Sequence, residues 1–460
     1  MLDFFFYPKS IAVIGATANP KKFGNAVTLN IISNTNLESE LFLVSHKSKD
    51  ILGFKSYTSI LEIPKEIDLA IILVPAKIVE DVIEECIEKK VKGIIIVTAG
   101  FGEIDDKGKL IEQRIAKKCR AAGIRIMGPN CVGIQNLDIG LNASFIQAAP
   151  PGHISMISQS GSFGCASFYA MKMENLGCSK FANIGNNIDV SFSEILEFFN
   201  NDKNTHIICL YMETVADGRV FLDTLKKIVF NKPIIILKGG RTTKGMKAAS
   251  SHTGSIVSNY NILKSSIKQA GAILCENTND YITALKTLYF LPTPQGENIG
   301  VLTNSGGSSV LLCDKIEEFK LSLAVFSEEL NLKMAPYLYP LVKLINPLDM
   351  IAAAAEKQYY EITKLMLEDT SIDIVIACVV IPPFLEMDSL EHFRGIIRAW
   401  NDTKRRKPII PLLFFSQNFQ NVKKYAKEEK CTIFFTPQEA ALAAKILIQR
   451  LRVLSKRKFL

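Results

Sequence analysis

The chain of 460 residues carries 54 Lys+Arg against 46 Asp+Glu, a formal charge of +8, with 48% hydrophobic and 22% charged residues. Such a length holds about three domains with full cores, which excludes a small disulfide-stapled scaffold, and the ordinary globular composition excludes a disordered chain. Lys404-Arg405-Arg406-Lys407 and the group Arg452, Lys456, Arg457 and Lys458 account for the charge excess, so these clusters read as solvated ends, not as a nucleic-acid patch.

Apolar runs such as Ile374 to Phe384 fall short of the roughly 18–20 residues of a membrane span. Met1-Leu2-Asp3 has no basic start and Pro8-Lys9 interrupts Phe4-Phe5-Phe6, so no signal peptide is expected. The 10 cysteines, from Cys86 to Cys431, form no C-x-x-C pair and read as free thiols. A cytoplasmic protein without membrane or nucleic-acid partners is expected.

In chain order, apolar runs alternate with helical patterns: Ile11–Gly15, Leu41–Ser45, Ala70–Pro75, Gly93–Gly100 and Ile124–Gly128. The rhythm restarts at His153–Ser158, Ile207–Glu213, Pro233–Gly239 and Ala272–Cys275. It restarts again at Asn298–Ser305, followed by Ser322–Phe326, Ile372–Ile381, Pro408–Phe415 and Thr432–Phe435. This predicts an α/β protein built on parallel sheets covered by helices. Pro150-Pro151-Gly152 and Pro292-Thr293-Pro294-Gln295-Gly296 mark boundaries, giving domains 1–149, 150–293 and 294–460. The last two open alike, with Ser158-Gln159-Ser160-Gly161 and Thr303-Asn304-Ser305-Gly306, and read as two copies of one flavodoxin-like unit.

In the first domain the turn after Ile14 runs Gly15-Ala16-Thr17-Ala18-Asn19-Pro20-Lys21-Lys22-Phe23-Gly24. Its amides and the following helix start form an anion site. The spacing is not G-x-G-x-x-G, which disfavours a dinucleotide pyrophosphate. The second strand ends in Ser45-His46-Lys47 and not in Asp or Glu, which suits a phosphorylated ribose, as in coenzyme A or NADP; an ordinary turn with solvated lysines is the alternative. The remaining strand ends, Val74-Pro75-Ala76, Thr98-Ala99-Gly100 and Gly128-Pro129-Asn130-Cys131, lie where such sheets bind ligands.

Of 5 histidines, His252 stands apart in Ser250-Ser251-His252-Thr253-Gly254-Ser255, after the basic strand end Lys238-Gly239-Gly240-Arg241 and before a helical pattern beginning near Ser255. An imidazole among such small residues can accept a phosphoryl group; a surface histidine beside a helix cap is the alternative. One ring nitrogen must be hydrogen-bonded, usually to a carboxylate, to fix the tautomer, and Glu213, ending an apolar strand, is a candidate; a capping or solvated glutamate is the alternative. Ser160-Gly161-Ser162, at a helix start on the same sheet edge, supplies an anion site.

These residues resemble the alpha subunit of the ADP-forming acyl-CoA synthetases, relatives of succinyl-CoA ligase. The resemblance runs through Pro8 to Ala16, Gly128 to Gly133, Ile157 to Gly164, Ser251 to Ser255 and Asn346-Pro347-Leu348-Asp349. It implies a Rossmann-like CoA-binding domain followed by two flavodoxin-like domains. By the same resemblance, CoA or acyl-CoA is held by Gly15, Ala16, Thr17, Lys22, Lys47, Val74, Pro75, Ala76, Thr98, Ala99, Gly100, Asn130 and Cys131. Phosphate is expected at Ser160, Gly161, Ser162, Thr253 and Gly254, with His252 and Glu213 as the catalytic pair and no metal ligands. Where relatives read Asn-Pro-Lys, this chain has Ser45-His46-Lys47, keeping the lysine.

The implied reaction is reversible: acyl-CoA, phosphate and ADP give a carboxylic acid, CoA and ATP, through an acyl phosphate and a phosphohistidine at His252. No segment resembles an ATP-grasp domain, and Ser305-Gly306-Gly307 is not a Walker motif. A beta subunit in a hetero-oligomer is therefore the expected partner, holding Mg²⁺ and ADP/ATP. A succinyl-CoA-type or other acid-specific ligase and a CoA-binding regulatory subunit are the alternatives.

Overall fold

The computed structural model describes residues 2–34, 37–253, 260–381, 388–414 and 419–456, with side chains described throughout these except at 249–253. Two compact units, Met1–Glu276 and Asn277–Leu460, divide the chain.

The first unit holds two seven-stranded sheets. Strands β1 (Ser10–Ile14), β2 (Glu40–Val44), β3 (Asp50–Ile51), β4 (Phe54–Tyr57), β5 (Leu69–Ile72), β6 (Gly93–Ile96) and β7 (Arg125–Met127) run in the order β3-β4-β2-β1-β5-β6-β7. All these neighbours are parallel except β3 and β4. Every residue of β1, β5 and β6 is buried, as expected of parallel strands covered on both faces. Helices α1 (Asp3–Phe6), α2 (Phe23–Ile32), α3 (Val79–Glu88) and α4 (Asp106–Ala121) accompany them. Helix α3 buries Val79, Val82, Ile83 and Cys86, one apolar stripe of a 3.6-residue period. The strand order reverses at β1, between β2 and β5, which opens a crevice at their carboxyl ends.

The second sheet takes β8 (Gly133–Asn136), β9 (Leu141–Ser144), β10 (Pro151–Ser158), β11 (Cys178–Asn183), β12 (Ile207–Met212), β13 (Ile234–Lys238) and β14 (Ile273–Cys275). Its order is β14-β13-β12-β10-β11-β8-β9, so the reversal falls between β10 and β12. Helices α5 (Gly161–Met173), α6 (Phe192–Asn201), α7 (Gly218–Ile228), α8 (Thr243–Thr253) and α9 (Tyr260–Ala270) connect its strands. The β8–β9 hairpin pairs antiparallel with β11, so this sheet begins at Gly133, ahead of the boundary expected at Pro150-Pro151-Gly152. Pro151 itself opens β10, where a missing amide is tolerated.

The second unit begins at Asn277, ahead of the expected boundary at Pro292. Its elements are α10 (Thr278–Phe290), β15 (Asn298–Thr303), α11 (Gly306–Glu318), β16 (Ser322–Leu323), α12 (Glu328–Met334), β17 (Leu348–Asp349), α13 (Glu356–Glu368), β18 (Ile374–Val379), α14 (Ser389–Asp402), β19 (Ile409–Leu413), α15 (Phe419–Glu428) and α16 (Pro437–Lys456). Helix α10 packs on α16, which explains why the boundary moves forward. The sheet order is β16-β15-β18-β19 with β17 also on β15. The strand expected at Thr432–Phe435 is reduced to a single bridge between Leu412 and Phe434.

Candidate functional site

A cavity of about 1020 Å³ opens at the carboxyl ends of the first sheet. It is lined by Gly15, Ala16, Thr17 and Lys22 after β1, by Ser45, His46 and Lys47 after β2, and by Val74 and Pro75 after β5. Thr98 and Ala99 after β6, Asn130, Cys131 and Val132 after β7, and Gly161 and Ser162 at the start of α5 also line it. Among the residues expected to hold CoA, Ala76 and Gly100 do not line it.

The β1 turn approaches its neighbours without room for a side chain. Gly15 has φ +98°, and a Cβ on Gly24 would lie 2.1 Å from the Gly15 carbonyl oxygen, so α2 starts directly against the turn. Thr17 and Asn19 order the rest: Asn19 N donates to Thr17 Oγ1 at 3.2 Å and Asn25 Nδ2 to the Thr17 carbonyl at 3.1 Å. The Thr98 hydroxyl donates to the Val74 carbonyl at 2.7 Å, tying two strand-end turns together.

The Asn130 loop is braced from the second sheet. Asn130 sits at φ 56°, the Val132 amide donates to Asn183 Oδ1 at 2.7 Å, and the Asn186 amide donates to the Pro129 carbonyl at 3.0 Å. Cys131 is 3% exposed, and its Sγ donates to the Ile96 carbonyl at 3.3 Å. Burial pushes its thiol up to about 12, leaving a neutral group that is a poor nucleophile.

Across the reversal of the second sheet, α5 starts after β10 and Glu213 follows β12. Ser160 caps α5, its hydroxyl accepting from the Phe163 amide at 3.2 Å and pairing with the Ser162 hydroxyl at 3.1 Å. The Ser160 side chain is thus engaged locally, while Gly161 and Ser162 face the cavity. Gln159 Oε1 accepts from the Glu213 amide and, at 2.9 Å, from the Thr214 amide. The Tyr211 hydroxyl donates to Glu213 Oε1 at 3.1 Å. Lys238, ending β13, is buried and donates to the Gly239 carbonyl; burial pushes its ammonium down to about 8, with Glu213 acting in the opposite direction.

Helix α8 continues through His252 and Thr253, and the start of a helix that the sequence suggests near Ser255 lies outside the described residues. The side chains of His252 and Thr253, and all of Gly254, lie outside the described residues. The helix begins after Thr242, whose Oγ1 accepts from the Gly245 amide at 3.1 Å. Arg241, just before it, pairs with Glu276 at 2.9 Å.

Sequence reasoning passed over Phe23 and Phe145, whose rings stack at 4.3 Å on the cavity wall, and also Asn183. A cluster of asparagines in Asn183-Ile184-Gly185-Asn186-Asn187 was the available signal for the brace.

Residues 9–136 match a family described as a CoA binding domain, and residues 151–288 a succinyl-CoA ligase like flavodoxin domain. The chain is 39% identical, over 98% of both chains, to the alpha subunit of acetate–CoA ligase [ADP-forming] II of Pyrococcus furiosus. It is 39% identical to the acetate–CoA ligase [ADP-forming] of Methanocaldococcus jannaschii over 77% of this chain and 49% of that one. A dinucleotide forming acetyl-coenzyme A synthetase 1 of Ca. Korarchaeum cryptofilum, solved with phosphate and ADP, superposes with a TM-score of 0.94 at 29% identity, covering 100% of this chain and 99% of that one. With this near end-to-end identity and both domain types in the same order, the chain belongs to the family of alpha subunits of ADP-forming acetate–CoA ligases.

Proposed function

We propose that the chain binds acyl-CoA in the cavity of its first unit and carries the phosphoryl group on His252, working with an ATP-grasp beta subunit that holds ADP and Mg²⁺. The observation that carries this reading is that one cavity is lined both by the strand-end turns of the first sheet and by Gly161 and Ser162 of α5, a helix start whose preceding Gln159 accepts from the Glu213 amide.

In the direction of ATP formation, a phosphate oxygen attacks the thioester carbonyl carbon and the CoA thiolate leaves, giving an acyl phosphate and CoA. A ring nitrogen of His252 then attacks phosphorus and the carboxylate of the acid leaves. A β-phosphate oxygen of ADP takes the phosphoryl group from the ring, restoring His252. The α5 amides at Gly161 and Ser162 stabilise the phosphate charge, and Glu213 holds the other ring nitrogen as the imidazole becomes positive. Gly15, Ala16 and Thr17 approach the CoA pyrophosphate with their backbone, while Lys22 and Lys47 meet its phosphates. Acetate, the acid in the names of the two ligases compared above, is the acid we propose.

We assign the first sheet, β1–β7, to CoA, the second sheet, β8–β14, to phosphoryl transfer and the unit from Asn277 on to a second flavodoxin-like domain. The 10 free cysteines fit a reducing cytoplasm. A relative whose single chain is about one and a half times as long as this one supports a second polypeptide here. Supplied with acetyl-CoA, phosphate and ADP, the chain alone is expected to make no ATP, and to make it once the partner is added. Sustained ATP formation by the purified single chain contradicts this division of labour.

A further inference from the structure

Glu213 does not stand alone at the end of β12. Tyr211, two residues earlier on the same strand, aims its hydroxyl at Glu213 Oε1 at 3.1 Å. The ring of Tyr211 stacks on Phe163, with centroids 4.2 Å apart and planes at 23°, and Phe163 lies in the first turn of α5. A Cβ on Gly239 would stand 2.7 Å from the Tyr211 hydroxyl oxygen and 3.4 Å from Glu213 Cγ, so the glycine leaves space for this pair.

We propose that Tyr211 is a positioning residue for phosphoryl transfer: its hydroxyl orients the Glu213 carboxylate, and its ring fixes that carboxylate relative to the helix start that binds phosphate. Burial and the neighbouring Glu213 push the phenol above its ordinary value, so Tyr211 keeps its proton and acts as donor. Gln159 completes the frame by accepting from the backbone amides of Glu213 and Thr214 while its own chain position leads directly into Ser160. The carboxylate and the α5 amides are thus set by one connected group of side chains. The inference rests on the role given to Glu213 above.

A double-mutant cycle on the assembled two-subunit enzyme tests it, using Tyr211→Phe, which keeps the ring stack and removes only the donor. Because a hydrogen bond to a charged group is lost, kcat is expected to fall roughly ten- to hundredfold with the KM for acetyl-CoA unchanged. In a Glu213→Gln background the same change is expected to cost less than about twofold, because the two residues act as one unit. An equal loss in both backgrounds, or no loss in either, overturns the positioning role. If Glu213→Gln alone leaves kcat unchanged, the role of Glu213 itself fails and the proposal falls with it. Calorimetry of each variant with CoA alone is expected to match the unmodified chain, since Tyr211 does not line the cavity.

Discussion

His252→Ala is expected to abolish ATP formation by the assembled enzyme, a loss of roughly 10⁴-fold or more, as when a nucleophile acting within a catalytic unit is removed. Its sequence neighbours Ser250 and Ser251 carry hydroxyls, which are weaker nucleophiles than an imidazole unless a base takes their protons. The loss is expected to be selective. In the proposed order of steps, phosphate-dependent release of CoA from acetyl-CoA precedes the histidine step, so it is expected to persist, with acyl phosphate accumulating in place of ATP. Coupled assays of CoA and ATP release distinguish this from a misfolded variant, in which both fail together. An ordinary rate of ATP formation in His252→Ala removes the residue from the mechanism.

The second large effect concerns the frame that holds the site. Lys180, on β11, is fully buried and reaches Asp138 at 2.5 Å, in the β8–β9 turn, and Asp202 at 2.8 Å, after α6. Ser179 and Thr205 donate to the same two carboxylates, at 2.8 and 2.5 Å. Lys180→Met leaves two shielded carboxylates without their cation, a change expected to destabilise the first unit by about 3–5 kcal/mol. The exposed pair Lys226–Asp223 is the control: Lys226→Met is expected to cost less than about 1 kcal/mol. Denaturant midpoints at neutral pH give the comparison, and equal shifts for the two variants contradict it.

The pH dependence of that difference has a definite sign. Burial acts to raise Asp202, but the hydrogen bonds from Lys180 and Thr205 outweigh it and hold the carboxyl below its ordinary 3.8. A folded value below the unfolded one contributes stability above about 3.9, lost as pH falls through the folded value. For Lys180 burial acts downward, but the hydrogen bonds and charges of Asp138 and Asp202 outweigh it and hold the ammonium above its ordinary 10.5, so its contribution is lost only as pH climbs through that raised value. The gap between the unmodified chain and Lys180→Met is therefore full at neutral pH and shrinks in acid below about pH 4.

The same strand shows where the sequence stopped being legible. Central parallel strands such as Ile207–Met212 announce themselves as apolar runs because both faces are covered. Strand β11 reads Cys-Ser-Lys-Phe-Ala-Asn and is equally buried, yet its lysine is neutralised by aspartates distant in sequence, which no local pattern reveals. The β8–β9 hairpin was hidden for a related reason: Gln135, Asn136, Asn142 and Ser144 are buried polar residues that satisfy one another and neighbouring carbonyls.

At the site, the turns after β1, β2, β5, β6 and β7 were readable because glycine, threonine and lysine at strand ends carry local chemistry. The Phe23–Phe145 stack was not, since an aromatic at a helix start reads as core until its partner is placed. Tyr211 illustrates the same limit. Its position in an apolar strand hides the hydroxyl that the fold directs to Glu213.

Phosphoryl transfer through a histidine of this chain leaves a covalent trace. Incubating the full chain and its partner with acetyl-CoA and radiolabelled phosphate, without ADP, and then mapping the labelled peptide by mass spectrometry tests it directly. An acid-labile, base-stable phosphate on His252 is the expected result; label on any other residue, or stoichiometric CoA release with no labelled histidine, contradicts it.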